Sequence, residues 1–369
     1  MNNNEQLYSI ALGLCPGIGH IGAKRLVDTF GSAEEVFQRR KEIPDMLPEA
    51  HTAIVEALDC PEAFRRAEQE LTFVEKNHLD CLTLTHPDYP ARLRECPDAP
   101  LALFFKGACD FNRQHVVSIV GTRRATTYGK DFCNTFIREL SELCPDILIV
   151  SGLAYGIDIH SHRAALANRM STVGVLAHGL DRIYPSVHRK TAIEMLPDGG
   201  LLTEFLSGTE PERYNFVSRN RIVAGMADAT IVVESAEKGG SLITADLANG
   251  YSRDCFAIPG RINDAASAGC NQLIRDNKAA VILTAEDLLK AMRWENHSQR
   301  PEAVQRNLFP TLTPEEEQIV NILTAQGDLH INMLATESHV PVYRISALLF
   351  ELEMKGILKA LPGSIYHLL

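Results

Sequence analysis

The sequence lacks several features that would assign it to a familiar class. Its 369 residues contain no run of 18 or more apolar residues, and the first residues, MNNNEQLYS, lack the basic and apolar pattern of a signal peptide. The nine cysteines are scattered and include no CxxC pair, which argues against a disulfide framework or a zinc site. We therefore expect a soluble, cytoplasmic protein with no membrane segment and no metal.

The sequence also lacks a basic excess. Its net charge is −11, which argues against broad coating of duplex DNA, because such binding depends on neutralising many phosphates. The basic residues are unevenly distributed, however, and residues 81–295 carry 23 of the 36 lysines and arginines. We therefore expect any site for a polyanion to lie in this middle segment.

Short apolar runs, rich in β-branched residues, alternate with helix-length segments through the middle of the chain. These runs are Val116–Val120, Ile147–Val150, Val173–Leu176, Leu201–Glu204, Ala229–Glu234 and Cys255–Ile258. Such runs are typical of strands buried on both faces of a parallel sheet, and the alternation predicts a doubly wound α/β fold. A proline-bearing connector before them ends in a further predicted strand, Leu101–Phe105.

Small residues follow the first two of these strands, at Gly121 and at Ser151-Gly152. Both turns open into a helix, so both loops lie at the carboxyl end of a strand, where open α/β sheets bind ligands. Polar side chains follow the turns: Arg123, Arg124, Asp158 and His160. Backbone N–H groups at such turns suit phosphate oxygens, so the two loops together predict an anion-binding crevice.

Two later segments add candidates for the same crevice. Arg219, Asn220 and Arg221 follow Phe216 at a predicted helix start, which suits phosphates with a base stacked nearby. We expect Arg219 and Arg221 to converge with the arginine of the first turn. The glycine turn Lys238–Ser241 is a second predicted phosphate cradle, with its serine as a possible N-cap.

The histidine and arginine that follow Tyr184-Pro185 are more ambiguous. His188 and Arg189 lie on a predicted helix beyond the third strand of the sheet. They suit either a solvated helix face or a contact with the ligand, and both interpretations stay open.

Glycines also stand out near the N-terminus. A short helix over residues 5–14 precedes Gly17, Gly19 and Gly22, and an amphipathic helix follows them. This pattern resembles a helix–hairpin–helix, in which backbone N–H groups of the hairpin contact a DNA phosphate. Residues 1–80 are acidic, however, so a packing or protein-interaction domain is an equal alternative.

The C-terminal segment begins with a polar, proline-bearing linker. Three helices and a hairpin follow and predict a winged helix, with Thr313 and Glu316 as a capping box on the first helix. The third helix offers only Arg344 and Lys355 against two glutamates, which argues against sequence-specific reading of duplex DNA. We therefore expect a module that binds a partner or modulates activity.

Several ordered motifs resemble the DNA-processing protein A family (DprA/Smf). They are HPDYPARL, PLALFFKG, SGLAYGIDIHSHRAAL, GLDRIYPSVHR, NFVSRNRIVAGMADATIVVES, KGGSLITADLANGYSRDCFAIPG and GCNQLIR, within residues 80–285. The resemblance implies an extended Rossmann-like domain with a helix–hairpin–helix (SAM-like) domain before it and a winged helix after it. The expected boundaries are 1–80 for the helical domain, 81–295 for the Rossmann-like domain, 296–312 for the linker and 313–369 for the winged helix.

The resemblance also implies a function: a single-stranded DNA-binding protein that is not an enzyme, needs no cofactor, dimerises through its Rossmann-like domain and loads the RecA recombinase during natural transformation. Thr122 stands where the family has serine, and His188 where it has asparagine. The residues expected to contact DNA are Gly121, Thr122, Arg123, Arg124, Ser151, Gly152, Gly156, His188, Arg189, Phe216, Arg219, Asn220, Arg221, Lys238, Gly239, Gly240 and Ser241. No catalytic residue is expected.

Two enzyme classes remain as alternatives. Rossmann-like nucleotide phosphoribohydrolases share the predicted topology, but their glycine turn has a third glycine that Lys238–Leu242 lacks, and Asp246 is the nearest acid here. A dinucleotide-dependent oxidoreductase would require a GxGxxG after the first strand of the sheet, and none follows it. A scaffold whose own contact with DNA is weak is a third alternative.

Overall fold

The computed structural model describes residues 3–47, 52–294, 312–361 and 364–368. The chain forms two compact units, Met1–Glu295 and Asn296–Leu369, and each is described by itself. The predicted linker over residues 296–312 lies outside the described residues, except for its last position.

The first unit begins with helices. Their bounds are α1 Asn3–Leu14, α2 Gly19–Phe30, α3 Ala33–Gln38, α4 Ile43–Met46, α5 Thr52–Ala57 and α6 Pro61–Lys76, with a 3-10 turn at Arg40–Glu42. The predicted helix–hairpin–helix corresponds to α1 and α2, joined by a turn in which Gly17 and Gly19 adopt positive φ angles of 82° and 63°. The face of α2 that buries Leu26 and Val27 packs into the core of the unit.

A nine-stranded sheet forms the centre of this unit. Its strands are β1 Asp80–Thr83, β2 Ala102–Ala108, β3 Val116–Val120, β4 Leu148–Ser151, β5 Thr172–Val175, β6 Gly199–Thr203, β7 Ala229–Val232, β8 Asp254–Ala257 and β9 Ala280–Val281. They lie in the order β1-β2-β6-β5-β4-β3-β7-β8-β9. In this spatial order, the last seven strands, β6-β5-β4-β3-β7-β8-β9, are parallel to one another. Strands β1 and β2 are antiparallel to their neighbours. The predicted doubly wound, mainly parallel α/β fold is confirmed.

Helices cover both faces of the sheet. They are α7 Ala91–Arg94, α8 Thr127–Leu143, α9 Ile157–Ala167, α10 Arg189–Glu194, α11 Arg213–Gly225, α12 Gly240–Gly250, α13 Ala268–Arg275 and α14 Ala285–Met292, with 3-10 turns at Ser186–His188 and Leu196–Asp198. Alternate strand residues enter different cores: Val117 and Ile119 pack with α8, whereas Val116 and Val120 pack in the cluster that includes the N-terminal helices. This alternation is the two-residue period of a strand buried on both faces.

The topology brings many loops to one edge of the sheet, which we call the carboxyl edge. It carries the loops that follow the parallel strands β3, β4, β5, β6, β7 and β8. Because β2 is antiparallel to β6, with Phe104 opposite Thr203, the start of β2 lies at this edge too. No helix in the described parts of the chain combines the length and apolarity needed to cross a bilayer.

The second unit is the predicted winged helix, and that prediction is confirmed. Its elements are α15 Pro314–Gln326, β10 Leu329–His330, α16 Ile331–Ser338, α17 Val342–Met354, β11 Leu358–Leu361 and β12 Ile365–Leu368. The capping box of Thr313 and Glu316 forms as predicted, and the buried Glu316 carboxylate also accepts a 2.6 Å hydrogen bond from Lys355 Nζ. Strand β10, which the sequence did not predict, extends the hairpin to a three-stranded sheet.

Candidate nucleic-acid interface

The loop after β3 is fixed by hydrogen bonds on two sides. The Thr122 N–H donates to the Glu234 carbonyl at 2.7 Å, and the Thr122 carbonyl accepts from the Ile157 N–H at 3.1 Å. The loop is therefore held between the end of β7 and the start of α9. Arg123 and Arg124 follow it and are exposed.

The glycines of the neighbouring loop are required by close packing within the protein. A Cβ at Gly152 would lie 2.4 Å from both terminal nitrogens of Arg219. Gly156 has a φ of 77°, and a Cβ there would lie 2.0 Å from the Thr122 carbonyl oxygen. Protein atoms therefore occupy the space beside these two glycines, and contact of their backbone with DNA stays a prediction.

Arg219 belongs to this packed layer. Its side chain is almost fully buried, with the residue 3% exposed, and Nη1 donates to the Gly152 carbonyl at 2.7 Å and to the Val175 carbonyl. Burial lowers the pKa of Arg219 to about 10, so the guanidinium stays charged at neutral pH. It binds the ends of β4 and β5 together and adds positive charge beneath the crevice.

Two buried carboxylates at this edge accept hydrogen bonds from the segments that lead into α8 and α9. Glu234 is fully buried at the end of β7 and accepts hydrogen bonds from the Thr126 N–H at 2.9 Å and the Thr126 hydroxyl at 2.5 Å, at the start of α8. Asp158, in the first turn of α9, accepts a 3.4 Å hydrogen bond from the N–H of Ala154 in the loop after β4. Burial raises the pKa of Asp158, and the positive charge of Arg219 opposes that rise. Thr126 caps α8 and no side chain caps α9, so contact of a phosphate with these turns stays a prediction.

Arg221 does not join the crevice. The prediction placed Arg219 and Arg221 at a helix start, but both lie inside α11, and Arg221 turns to a different neighbour. Its Nη2 forms an ion pair with Glu204, which follows β6, and both side chains are buried. The expected convergence of three arginines is therefore wrong, because only Arg219 reaches the ends of β4 and β5.

The accessible part of the crevice is formed by Arg123 and an aromatic ring. The Arg123 guanidinium lies over the Phe216 ring, 4.7 Å from its centre. Tyr184, which is exposed, lies 6.0 Å from the same ring, centre to centre. This arrangement combines a cation with flat apolar surfaces at the carboxyl edge.

Three further cations of the predicted set are exposed on the loops and helices of this edge: Arg124, Arg189 and Lys238. None of them forms an ion pair with another described residue. Their charges are therefore not cancelled by a neighbouring carboxylate.

His188 and Ser241, by contrast, face the interior. His188 is buried, its Nδ1–H donates to the Leu153 carbonyl at 2.9 Å, and burial lowers its pKa. Ser241 lies within α12 and donates to the Ser235 hydroxyl at 2.9 Å, so Gly239 is the N-cap rather than the serine. Gly240, beside it, faces open space.

The remaining predicted residues are buried or half-buried. Ser151 is buried and donates to the Ile119 carbonyl at 2.6 Å. Asn220 is half-buried and accepts a 3.3 Å hydrogen bond from Arg219 Nε. Gly121 and Gly239 are half-buried parts of the loops after β3 and β7.

Sequence reasoning named His160 but missed Tyr155, which precedes it on the same segment. Tyr155 is exposed on the loop after β4 and contacts the His188 ring edge to face at 5.0 Å. Burial lowers the pKa of His160, and the nearby positive charges of Lys130 and Arg163 lower it further. A tyrosine within a glycine-bearing loop, between Gly152 and Gly156, was the signal that the sequence offered for this residue.

The nucleotide-hydrolase alternative has little support in this geometry. Asp246, the candidate acid, lies on α12 and forms a 2.7 Å ion pair with Lys278 while half exposed to solvent. The two buried carboxylates of the crevice, Glu234 and Asp158, already accept hydrogen bonds from Thr126 and from the Ala154 N–H. Neither presents a free carboxylate to a bound nucleotide.

A Rossmann-like sheet with cationic and aromatic loops at its carboxyl edge, followed by a winged helix, defines the class of this protein. The chain belongs to the DNA recombination-mediator protein A (DprA/Smf) family. The model of that family matches residues 80–293, and the model of the DprA winged helix domain matches residues 305–364.

Individual relatives agree. Protein Smf of Synechocystis is 31% identical, and the alignment covers all of both chains. The X-ray structure of DNA processing protein A from Streptococcus pneumoniae is 29% identical, with a TM-score of 0.60 over 78% of this chain and 97% of that one. The Helicobacter pylori protein, whose structure is described for its single-stranded DNA binding mode, is also 29% identical, with a TM-score of 0.53 over 58% of this chain and 96% of that one.

Proposed function

We propose that this protein binds single-stranded DNA along the carboxyl edge of its sheet. The observation that carries the proposal is the stack of Arg123 on Phe216, flanked by exposed cations without ion-pair partners. Proteins that bind single strands combine a positively charged groove for the phosphates with aromatic side chains for the bases. Arg123, Arg124, Arg189 and Lys238 supply the charge, and Phe216, Tyr184 and Tyr155 supply the aromatic surfaces.

The same features favour single strands over duplex DNA. The accessible cations are few and interleaved with rings, whereas the protein as a whole carries a net charge of −11. Non-specific duplex binding arises almost entirely from phosphate neutralisation, so an acidic protein with a local groove gains little from it. An aromatic surface adds affinity only where bases are unstacked from a partner strand.

We also propose that two copies associate through residues 81–295 and pass the strand to the RecA recombinase. Large apolar side chains near the β8 and β9 side of the sheet are exposed, among them Ile243, Ile262 and Leu283. Two-fold dimers are the commonest soluble oligomers, and a dimer would join two crevices into one longer track. The mediator role of the family supports a transfer to a recombinase. No catalytic step is part of this proposal.

The test compares labelled oligonucleotides of equal length, one single-stranded and one duplex, in titrations followed by fluorescence anisotropy. We expect tighter binding of the single strand, with salt dependence in both cases. Assembly of RecA on the same oligonucleotide, with and without the protein, tests the transfer. Equal affinity for duplex and single strand, or release of free base from AMP in a parallel assay, would overturn the proposal.

A further inference from the structure

A separate pocket lies further along the carboxyl edge, beneath the helix–hairpin–helix. It has a volume of about 170 Å³ and is walled by the end of α1, the start of α2, the start of β2 and the residues after β6. Its walls are largely apolar, with Ile10, Leu101 and Phe104 among them. Apolar cavities of about 150 Å³ accept a benzene ring, so this pocket has room for one planar ring.

One buried carboxylate faces this pocket. The Glu204 side chain is 6% exposed, and its Oε2 is paired with Arg221 Nη2. Its Oε1 is buried and has no hydrogen-bond partner among the described residues, and the same holds for Nε and Nη1 of Arg221, which does not line the pocket. His20, on the first turn of α2, also lines the pocket, with Nε2 3.9 Å from the Glu204 carboxylate. An unpaired buried acceptor is costly, so the pocket suits a ligand that donates a hydrogen bond to it.

The chemistry of the pocket narrows the class of ligand. Arg221 offsets the charge of Glu204 but does not line the pocket, so the charged group that a ligand meets in the wall is the carboxylate, which is a poor partner for phosphate. A single carboxylate with one imidazole is a poor set for Ca²⁺ or Mg²⁺, which take six or more ligands that are mostly oxygens, and it supplies only two of the ligands of a Zn²⁺ site. A ring with apolar faces and an amino group fits both parts of the lining. Among nucleic-acid components this describes a nucleobase with an exocyclic amine, for which glutamate is a known acceptor.

We propose that this pocket binds an unstacked nucleobase bearing an exocyclic amino group, with Glu204 Oε1 accepting from the amine. The pocket and the crevice lie on the same edge of the sheet, and α11 connects them: Arg219 contacts the ends of β4 and β5, and Arg221 holds Glu204. The inference rests on the proposed single-strand binding and adds a preference among bases to it. A base within the strand and a free nucleoside share this chemistry, and the experiment separates them.

The test fills the pocket from a position that tolerates a side chain. Gly13, near the end of α1, lines the pocket, and a Cβ there would meet no atom within 4 Å. Gly13→Leu places a branched side chain in the pocket, and Gly13→Ala a smaller one. Gly250→Leu is the matched control, because Gly250 also ends a helix, meets no atom within 4 Å of its Cβ, and does not line this pocket.

The measurement compares oligodeoxycytidine with oligodeoxyuridine of equal length. Cytosine carries the amine and uracil a carbonyl at the same position. We expect the native protein and Gly250→Leu to prefer deoxycytidine about fivefold, the equivalent of one net hydrogen bond. We expect Gly13→Leu to lose that preference while keeping its affinity for deoxyuridine, and Gly13→Ala to lose part of it. Melting temperatures check that the variants fold.

Free deoxycytidine, titrated by calorimetry, identifies the source of the base. If the nucleoside binds the native protein and not Gly13→Leu, the pocket accepts a free nucleoside. If only the oligonucleotide binds, with the preference for deoxycytidine lost in Gly13→Leu, the pocket accepts a base held within the strand. An equal preference in the native protein and Gly13→Leu, with no nucleoside binding, overturns the pocket and leaves the proposed function intact. Failure of the native protein to bind either oligonucleotide refutes the proposed function instead.

Discussion

The Arg123 guanidinium carbon lies 4.7 Å from the centre of the Phe216 ring, and Arg123 makes no ion pair with any described residue. The ring therefore orients a cation whose charge is left for a ligand. It also presents an apolar surface beside that charge. The two residues are separated by 93 positions in the chain and meet because α11 crosses the carboxyl edge near the loop after β3.

Replacing Phe216 separates the contribution of base stacking from that of phosphate neutralisation. If the ring stacks a base, Phe216→Ala loses about 1–3 kcal/mol of single-strand binding with little change in the salt dependence, because no charge is removed. Anisotropy titrations at several salt concentrations measure both quantities. Trp294→Ala is the matched control, since Trp294 stacks on His115 at 4.2 Å just before β3, at the opposite edge of the sheet. An unchanged affinity in Phe216→Ala would exclude base stacking at this ring.

Gly152→Ala tests the close packing of the crevice floor. The added methyl group would lie 2.4 Å from the buried Arg219 guanidinium, so we expect a loss of about 1–3 kcal/mol in the free energy of unfolding. Urea unfolding measures it as a lower midpoint with an unchanged slope. Gly240→Ala is the control, because a Cβ there meets no atom within 4 Å. Equal stability of the two variants would show that Arg219 moves freely.

His162 makes the stability of the first unit depend on pH. The side chain is fully buried, with Nδ1 2.7 Å from the Thr172 hydroxyl, and burial lowers its pKa to about 3. The unfolded chain binds a proton at His162 near pH 6.5, whereas the folded chain does not, so stability is full above pH 6.5 and falls towards pH 3. Each pH unit in that window costs about 1.4 kcal/mol for this group.

The free energy of unfolding of His162→Gln should depend less steeply on pH, because this variant lacks the imidazole that takes up a proton on unfolding. Urea unfolding of both proteins between pH 4.5 and 7.5 measures the two slopes, and the native protein should show the steeper one. Replacing the exposed His339 on the winged helix by glutamine serves as the control. Parallel slopes for the native protein and His162→Gln would contradict the assignment of a neutral buried imidazole.

Removing residues 296–369 should leave single-strand binding within a few-fold of the intact protein. In the winged helix, Arg344 is paired with Glu315 at 2.7 Å and Lys355 with Glu316 at 2.6 Å, so these charges are already compensated. Anisotropy titrations of residues 1–295 and of the full chain provide the comparison. A loss of about two orders of magnitude would place several phosphate contacts in the winged helix.

Much of the fold was readable in the sequence because its local signals are strong. The apolar run Val116–Val120 forms β3 over the predicted residues, and the capping box of Thr313 forms as predicted. The short strands at the sheet margins were not readable. Asp80–Thr83 forms β1 only by pairing with β2, and the two-residue strand β9 has both side chains exposed, so neither carries a strong apolar pattern.

The details of the site were less predictable because they depend on helix phase and on distant partners. Residues two positions apart on a helix point about 200° apart, so Arg219 and Arg221 cannot face the same side of α11. The sequence suggested a helix start at these residues, which hid that constraint. The ion pair of Arg221 with Glu204 and the hydrogen bonds from Thr126 to Glu234 both join segments that no local pattern connects.

The salt dependence of binding by Arg123→Ala tests the central claim most directly. Affinity for a single-stranded oligonucleotide is measured at several salt concentrations for the native protein, Arg123→Ala and Arg138→Ala, the last an exposed arginine towards the end of α8, away from the carboxyl edge. We predict weaker binding for Arg123→Ala and a log–log slope reduced by about 0.7, the value for one phosphate contact on a single strand, with Arg138→Ala unchanged. A folded Arg123→Ala protein with native affinity and slope would show that the DNA does not bind at this crevice.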